Sequence, residues 1–170
     1  MNCRNCGAPM ELFDRRRYLF CAFCGSFSFI DAPEVEGVRV LERPVPAPDC
    51  PRCGSPLAKA LLDDAVAGEH CERGRGILLT RARFAEAITR RRAHDSREPA
   101  PPVPLDRREL ERVVVCASCR SQMDVHPYYG PGNVVIDSCQ RCDLIWLDFG
   151  ELEQITTAGG RDRGWRISSR

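Results

Sequence analysis

The last third of the chain alternates short hydrophobic runs with glycine, proline and polar turn residues. Residues 113–115 are three valines and predict a strand, and residues 122–125 predict a second one. A turn rich in tyrosine and glycine follows at 129–133, and the hydrophobic run 134–136 predicts the returning strand. Residues 145–147 form one more short apolar run. The pattern indicates a small β-hairpin with an added strand.

A different spacing, with hydrophobic residues four apart, appears in the middle of the chain. Phe84 and Ile88 would lie on one face of a helix, which we predict from near Thr80 to about Ala93. Several arginines give this helix a basic surface. They would contact phosphate or an acidic partner, or they would form a solvated helix end that offsets the helix dipole. We favour the solvated surface.

A second helix is predicted directly after residues 145–147. Asp148 and Glu151 have the Asp-x-x-Glu spacing of a capping box, in which each residue satisfies a free backbone amide of the other. Leu152 and Ile155 then lie on one face of that helix and should cover the strands. The first module carries no such helix, because Pro33 follows its last predicted strand, at 26–29.

Eleven cysteines divide the chain into three groups. The proposed metal ligands are Cys3, Cys6, Cys21 and Cys24 in the first group, Cys50, Cys53 and Cys71 with His70 in the second, and Cys116, Cys119, Cys139 and Cys142 in the third. Paired Cys-x-x-Cys knuckles separated by a hairpin place four sulfurs around one tetrahedral Zn²⁺. Iron is the less favoured occupant of the same thiolate sites. An odd number of cysteines is a poor fit to a disulfide framework.

The second and third groups belong to an internal repeat, because residues 71–80 align with residues 139–148 at an offset of 68. The repeat is imperfect, since Gly74 stands where the third group has Cys142. His70 is the nearest replacement ligand, although adjacent residues in a strand point in opposite directions. Two other interpretations of the second group remain open, namely a metal-free relic and a zinc ion with one open coordination position.

Proline-rich segments separate the modules and predict extended linkers. We divide the chain into zinc ribbon 1 (1–31), a linker (32–48), degenerate ribbon 2 with its basic helix (49–94), a second linker (95–106), ribbon 3 with its helix (107–158) and a flexible tail (159–170). The predicted fold class is therefore a small metal-stabilised β/α protein with three tandem zinc ribbons and little extended hydrophobic core.

Charge and hydropathy narrow the function classes. The formal net charge is +1. Eleven thiolates would each add one negative charge and three Zn²⁺ would each add two positive charges, so the loaded chain would carry about −4. Such a charge does not favour bulk attraction to nucleic acid. No apolar run approaches the roughly 18 residues of a membrane span. Without an apolar signal segment, we expect a cytoplasmic protein with reduced thiols.

The third group carries a family resemblance. The segments Cys116-Ala-Ser-Cys119, Asp137-Ser-Cys-Gln-Arg-Cys142, Trp146-Leu-Asp148 and Gly150-Glu-Leu-Glu153 resemble the bacterial zinc-ribbon family named after the transcription-factor-IIB-type zinc finger. The resemblance covers residues 113–157 and extends to residues 50–90 in a degenerate form. It implies zinc binding, and it does not specify a biological role.

The sequence therefore predicts a non-enzymatic zinc-ribbon protein that binds another macromolecule, with a protein partner favoured over nucleic acid. A nucleic-acid-binding ribbon associated with transcription is the first alternative. A redox or metal sensor that uses the incomplete second group is the second, because thiolates in an incomplete coordination shell are exposed to oxidants. No small-molecule substrate or membrane partner is evident, and catalysis at an open zinc position is the least favoured role.

Overall fold

The computed structural model describes residues 1–13, 18–24, 26–29, 37–101 and 103–160, and all structural statements below concern these residues. Residues 14–17 lie outside them, as do Pro33 and most of the predicted tail (161–170).

Ten strands and two α-helices make up the described chain. They are β1 (Glu11–Phe13), β2 (Tyr18–Phe20), β3 (Phe27–Phe29), β4 (Val38–Glu42), β5 (Ala58–Leu62), β6 (Val66–His70), β7 (Ile77–Thr80), α1 (Arg81–His94), β8 (Asp124–Pro127), β9 (Val135–Cys139), β10 (Leu144–Leu147) and α2 (Glu151–Thr157). A short 3₁₀ helix at Arg107–Glu111 precedes ribbon 3. The protein is thus β-rich, as predicted.

The strands form two antiparallel sheets. The first contains β1, β2 and β3 in that order, and it is the sheet of ribbon 1. The second has seven strands in the order β4-β5-β6-β7-β10-β9-β8. Ribbons 2 and 3 are therefore not separate modules, because the last strand of each pairs with the last strand of the other. β4 lies inside the segment predicted as the first linker, where it pairs with β5.

The two halves of the seven-stranded sheet repeat the same strand register. Ala58 of β5 lies opposite His70 of β6, and Asp124 of β8 lies opposite Ser138 of β9. These are corresponding positions of the two ribbons. The sequence repeat therefore describes a shared structural unit, and the two units meet edge to edge through β7 and β10.

The sheet separates two hydrophobic layers. Side chains alternate between the faces of a strand, so Leu79 and Ile145 face α1 and α2, while Leu78 and Trp146 face the cysteine knuckles. Fourteen buried residues from both ribbons form the helix-side layer. The predicted lack of an extended core is wrong, because pairing β7 with β10 joins two small ribbon cores into one.

The helices match the sequence predictions closely. α1 begins after Thr80, whose hydroxyl accepts a hydrogen bond from the Arg83 amide, and it buries Phe84 and Ile88. α2 buries Leu152 and Ile155. Both helices pack on the same face of the sheet, and they cover the junction between the two ribbons.

Two local predictions are wrong. Residues 113–115 form no strand, and only Val115 makes an isolated bridge, to Gln122. The capping box is only half formed: the Asp148 amide donates to the Glu151 carboxylate over 2.7 Å, but the Asp148 carboxylate does not cap the helix. It accepts a hydrogen bond from the Trp146 indole at 2.9 Å instead.

Candidate metal centres

The four cysteines of ribbon 1 converge at one point. The Sγ atoms of Cys3 and Cys24 are 3.5 Å apart, as are those of Cys6 and Cys21, and all four lie within 4.8 Å of one another. Four sulfurs bound to one Zn²⁺ at about 2.3 Å would be about 3.8 Å apart in a tetrahedron. The sulfur positions therefore fit a zinc ion with only small adjustments.

Ribbon 3 presents a second group of four. Cys116, Cys119, Cys139 and Cys142 have their sulfurs within 4.8 Å of one another, and the Cys119 and Cys139 sulfurs are 3.7 Å apart. Cys139 ends β9, so a strand of the large sheet supplies one ligand directly. This group would connect the hairpin β8–β9 to β10.

The knuckles share one backbone conformation. The residue that follows each first Cys-x-x-Cys pair has a left-handed φ, at Gly7 (77°), Gly54 (68°) and Arg120 (59°). In the second knuckles, Arg75 and Asp143 both have φ at 55°. This turn aims backbone amides at the sulfurs, which stabilises thiolates. Ribbon 2 therefore keeps the knuckle shape even though Gly74 replaces its fourth cysteine.

The ribbon 2 group contains three cysteines. Cys50, Cys53 and Cys71 have their sulfurs within 4.8 Å of one another, and among the described residues no His, Asp, Glu or fourth Cys completes the group. The Gly74 amide donates to the Cys71 sulfur over 3.2 Å. Cys50 and Cys71 are buried, and Cys53 is partly exposed.

The structure does not bring His70 to this group. His70 lies opposite Ile77 in the sheet, and Ile77 belongs to the helix-side layer, while Cys71 belongs to the knuckle side. The alternation of side chains along a strand places neighbouring residues on opposite faces. Burial lowers the pKa of His70, and its Nδ1 atom has no hydrogen-bond partner in the described structure.

Hydrogen bonds inside the groups favour thiolates at particular positions. The Ser26 hydroxyl, 3.1 Å from the sulfur, is the main reason that the pKa of Cys24 falls to about 5. Hydrogen bonds from the Ser121 backbone and hydroxyl lower the pKa of Cys119 to about 6. Cys50 and then Cys71 lower the pKa of Cys53 by hydrogen bonding. Each group thus contains at least one cysteine prepared to bind a cation.

Ribbon 1 packs directly on the second knuckle of ribbon 2. A Cβ atom placed on Gly74 would lie 3.2 Å from Cε2 of Phe27 and 3.6 Å from the Cys71 sulfur. Arg73 donates to the Ser26 hydroxyl over 2.9 Å. Phe29 contacts Phe149 edge to face at a centroid distance of 5.2 Å. These contacts join all three ribbons, so the sites lie in one assembly.

A buried group of charges supports ribbon 3. Arg112 donates to Asp137 over 2.9 Å and also pairs with Asp148 and Glu151. All four side chains are at most 8% exposed. Burial raises the pKa of Asp137 to about 6, although Arg112 opposes the shift. Arg52, from the first knuckle of ribbon 2, reaches the same Asp148 at 3.3 Å.

Sequence reasoning identified the cysteines but missed Phe27 and Arg112. The sequence places Phe27 only in the predicted strand at 26–29, and nothing in the sequence indicates that it packs against Gly74, which lies far along the chain. Arg112 precedes the three valines at 113–115 and is one of many arginines in the chain. Its only distinguishing signal is its position among charged residues just before the first knuckle of ribbon 3.

Three cysteine groups in knuckles on a β-rich scaffold could each hold a metal ion, as in a zinc-binding protein. The family model described as "Transcription factor zinc-finger" matches residues 115–158, which confirms the resemblance found for ribbon 3. The match and the cysteine groups together support zinc as the metal. Searches of curated proteins and of solved structures found no match. None of the helices in the described ranges is long and apolar enough to cross a membrane.

Proposed function

We propose that this zinc-binding protein acts as a non-enzymatic interaction module whose partner is another protein. The observation that carries the proposal is Phe23, which lies between the ligands Cys21 and Cys24 and is 83% exposed. Aromatic side chains on a rigid support are typical anchors of protein interfaces, since they bury a large area at a small cost in entropy. A metal ion in ribbon 1 would provide that rigidity.

Nucleic acid is the less favoured partner. The arginines of α1 are largely engaged within the chain: Arg91 pairs with Asp63 at 2.8 Å, and Arg90 pairs with Glu86 at 2.8 Å. Arg92 donates to the Ile155 carbonyl over 3.1 Å. Guanidinium groups with internal partners must give them up to bind phosphate. The acidic charge of the zinc-loaded chain opposes phosphate binding as well.

The proposal is tested by placing a photo-crosslinking phenylalanine analogue at position 23 in cells that express the chain. Position 129 provides the control, because Tyr129 is an exposed aromatic that stacks on His126 of its own ribbon. We expect one dominant protein adduct from position 23 that is absent from position 129. A nucleic-acid adduct at position 23, or no specific adduct, would contradict a protein partner.

Affinity measurements on the purified pair then separate the two classes of partner. Phe23→Ser should weaken protein binding by at least about tenfold, because truncation of an anchor costs about 2 kcal/mol. Binding to a protein through an aromatic anchor should change little with salt. Binding to nucleic acid through several phosphates should fall by about 10³-fold or more between 50 and 200 mM salt.

A redox or metal sensor is the second candidate, and the three-cysteine group of ribbon 2 favours it. Cys53 is partly exposed and lacks the full thiolate shell of the other two groups. Mild peroxide should then modify Cys50, Cys53 and Cys71 before any cysteine of ribbons 1 and 3. Mass spectrometry of the modified thiols measures the order, and uniform protection of all eleven would remove this candidate.

Our proposal assigns no catalytic role to the chain. Among the described residues no carboxylate or imidazole joins the ribbon 2 group, so that group has no adjacent general base. The Ser138 hydroxyl lies 2.9 Å from Nε2 of His126, but Ser138 is only 3% exposed. A substrate could not approach such a hydroxyl without opening the sheet.

A further inference from the structure

The ribbon 2 group differs from the other two at one position, where Gly74 replaces a cysteine. Its three remaining sulfurs nevertheless keep the arrangement of a metal site. The Arg52 amide donates to the Cys50 sulfur over 3.4 Å, and the Gly74 amide donates to the Cys71 sulfur over 3.2 Å. Each amide stabilises negative charge on the sulfur to which it donates, and a bound cation would stabilise the thiolates further.

Ribbon 1 contacts this site at the residue that lacks the fourth ligand, because Phe27 packs against Gly74. A side chain on Gly74 would begin 3.2 Å and 3.4 Å from two ring carbons of Phe27, which is tighter than an ordinary van der Waals contact. Phe27 is held in place by Tyr18 and Phe20, with ring centroids at 5.4 Å and 5.1 Å. An aromatic ring with its own packing partners therefore occupies the place next to the missing ligand.

Sulfur spacing by itself does not select the metal. Sulfurs bound at about 2.3 Å are about 3.8 Å apart in a tetrahedron and about 4.0 Å apart in a trigonal plane. The Cys53 and Cys71 sulfurs are 3.5 Å apart, so a small adjustment reaches either geometry. The missing fourth protein ligand decides between them, because structural zinc is almost always four-coordinate. Soft monovalent copper binds thiolates strongly and accepts three of them.

We propose that Cys50, Cys53 and Cys71 form a three-coordinate site for Cu(I), with Phe27 packed against the residue that lacks the fourth ligand. The site is additional to the zinc sites of ribbons 1 and 3 and does not depend on the proposed protein partner. Binding releases three thiol protons as one cuprous ion is taken up, and no electron is transferred.

The surroundings of the three sulfurs suit a cuprous ion. Leu57, Leu78 and Trp146 are buried beside the group and give its inner side an apolar lining. An apolar lining favours the lower oxidation state, because the cupric ion depends on additional nitrogen and oxygen ligands. Cys53 reaches the surface and gives an incoming ion a first sulfur to bind.

The test uses the full chain, purified without oxygen and loaded with zinc. Cu(I) is supplied from a coloured chelator of known affinity, and native mass spectrometry counts both metals on each chain. We expect one Cu(I) bound while two Zn²⁺ remain. Cys53→Ser should weaken Cu(I) binding at least about 100-fold and retain two Zn²⁺, and the retained zinc shows that the variant is folded. The matched control Cys119→Ser should lose one Zn²⁺ and keep the Cu(I).

A reciprocal variant tests the role of the missing fourth ligand. Phe27→Ala combined with Gly74→Cys supplies the missing ligand and removes the ring that crowds it. This double variant should bind a third Zn²⁺ and should hold it against one equivalent of Cu(I). Gly74→Cys alone should hold the third Zn²⁺ less tightly, because Phe27 still opposes the new side chain.

Three results would overturn the proposal. The first is a third Zn²⁺ in the unaltered chain that one equivalent of Cu(I) does not displace. The second is loss of Zn²⁺ from ribbon 1 or ribbon 3 before the ribbon 2 group binds copper. The third is no copper binding to a chain that holds two Zn²⁺. The third result would leave the zinc-binding function intact. Failure of the outer sites to hold Zn²⁺ would contradict that function separately.

Discussion

Leu78 of β7 and Trp146 of β10 lie directly opposite each other in the sheet, and each is the counterpart of the other in the sequence repeat. Their numbers differ by 68, which is the offset that aligns the two ribbons. An internal pseudo-twofold axis therefore passes between them. The two ribbons meet as two subunits of a symmetric dimer would, through the same strand of each.

Gly76 lies at this junction, where the ring of Trp146 leaves no room for a side chain. A Cβ atom there would lie 2.2 Å from Cζ2 of Trp146 and 2.8 Å from the Leu147 carbonyl oxygen. Gly76→Ala should therefore lower the free energy of unfolding by about 1–3 kcal/mol through overpacking. Urea unfolding of the zinc-loaded chain measures the change.

The Trp146→Phe background is the control for that prediction. A smaller ring removes the indole atoms that the new Cβ would contact and leaves only the contact with the Leu147 carbonyl oxygen, so Gly76→Ala should cost less there than in the unaltered chain. If Gly76→Ala lowered the free energy of unfolding equally in the two backgrounds, contact with the Trp146 ring would not be the cause of the loss.

The buried group around Arg112 should respond strongly to loss of its positive charge. Arg112→Met would leave Asp137, Asp148 and Glu151 buried without their main partner. Removal of one member of such a group typically costs about 3–5 kcal/mol. Arg108→Met is the matched control, because the Arg108 side chain is 83% exposed and pairs with Asp106 at the surface. Its effect should stay within about 0.5 kcal/mol.

Loss of zinc should have different consequences in the two outer ribbons. Cys139→Ser and Cys24→Ser should each remove one Zn²⁺ per chain, measured by native mass spectrometry. Cys139 ends β9 beside the core of the large sheet, so its variant should unfold at clearly lower urea concentration. Cys24→Ser should leave the large sheet intact. Ser118→Ala, an exposed change inside a knuckle, should keep the full metal content.

Docking of ribbon 1 should depend on Phe149, which lies just before α2. Its ring contacts Phe29, and the Arg75 guanidinium lies 4.1 Å from the centroid of the Phe29 ring. Phe149→Ser should free ribbon 1, which then tumbles faster than the large sheet in ¹⁵N relaxation measurements. Phe23→Ser, an exposed aromatic change in the same ribbon, should leave one common tumbling time. If ribbon 1 and the large sheet tumbled together in both variants, other contacts would be sufficient to hold ribbon 1 in place.

Local features of the fold were accessible from sequence because their causes are local. The Cys-x-x-Cys spacing fixes the knuckles, and hydrophobic residues three or four apart identify α1 and α2. Predictions failed where a distant partner changes the outcome. Asp148 looks like a helix cap, but Trp146 and Arg112 take its carboxylate. Residues 113–115 look like a strand, but the isolated bridge of Val115 to Gln122 and the hydrogen bond from the Met123 amide to the Val114 carbonyl do not make a regular one.

The cysteine spacing was enough to identify the eleven thiols of the three groups, and the internal repeat was enough to show that ribbons 2 and 3 are copies of one unit. Both features can be recognised from the order of residues along the chain, and each knuckle forms from residues that are close in sequence. Only the tertiary structure decided how the units combine. Pairing β7 with β10 gives two small ribbons one shared core, and packing Phe27 beside Gly74 places an aromatic ring at the residue that lacks the fourth ligand of the middle site. Such contacts depend on surfaces that exist only after each ribbon has folded.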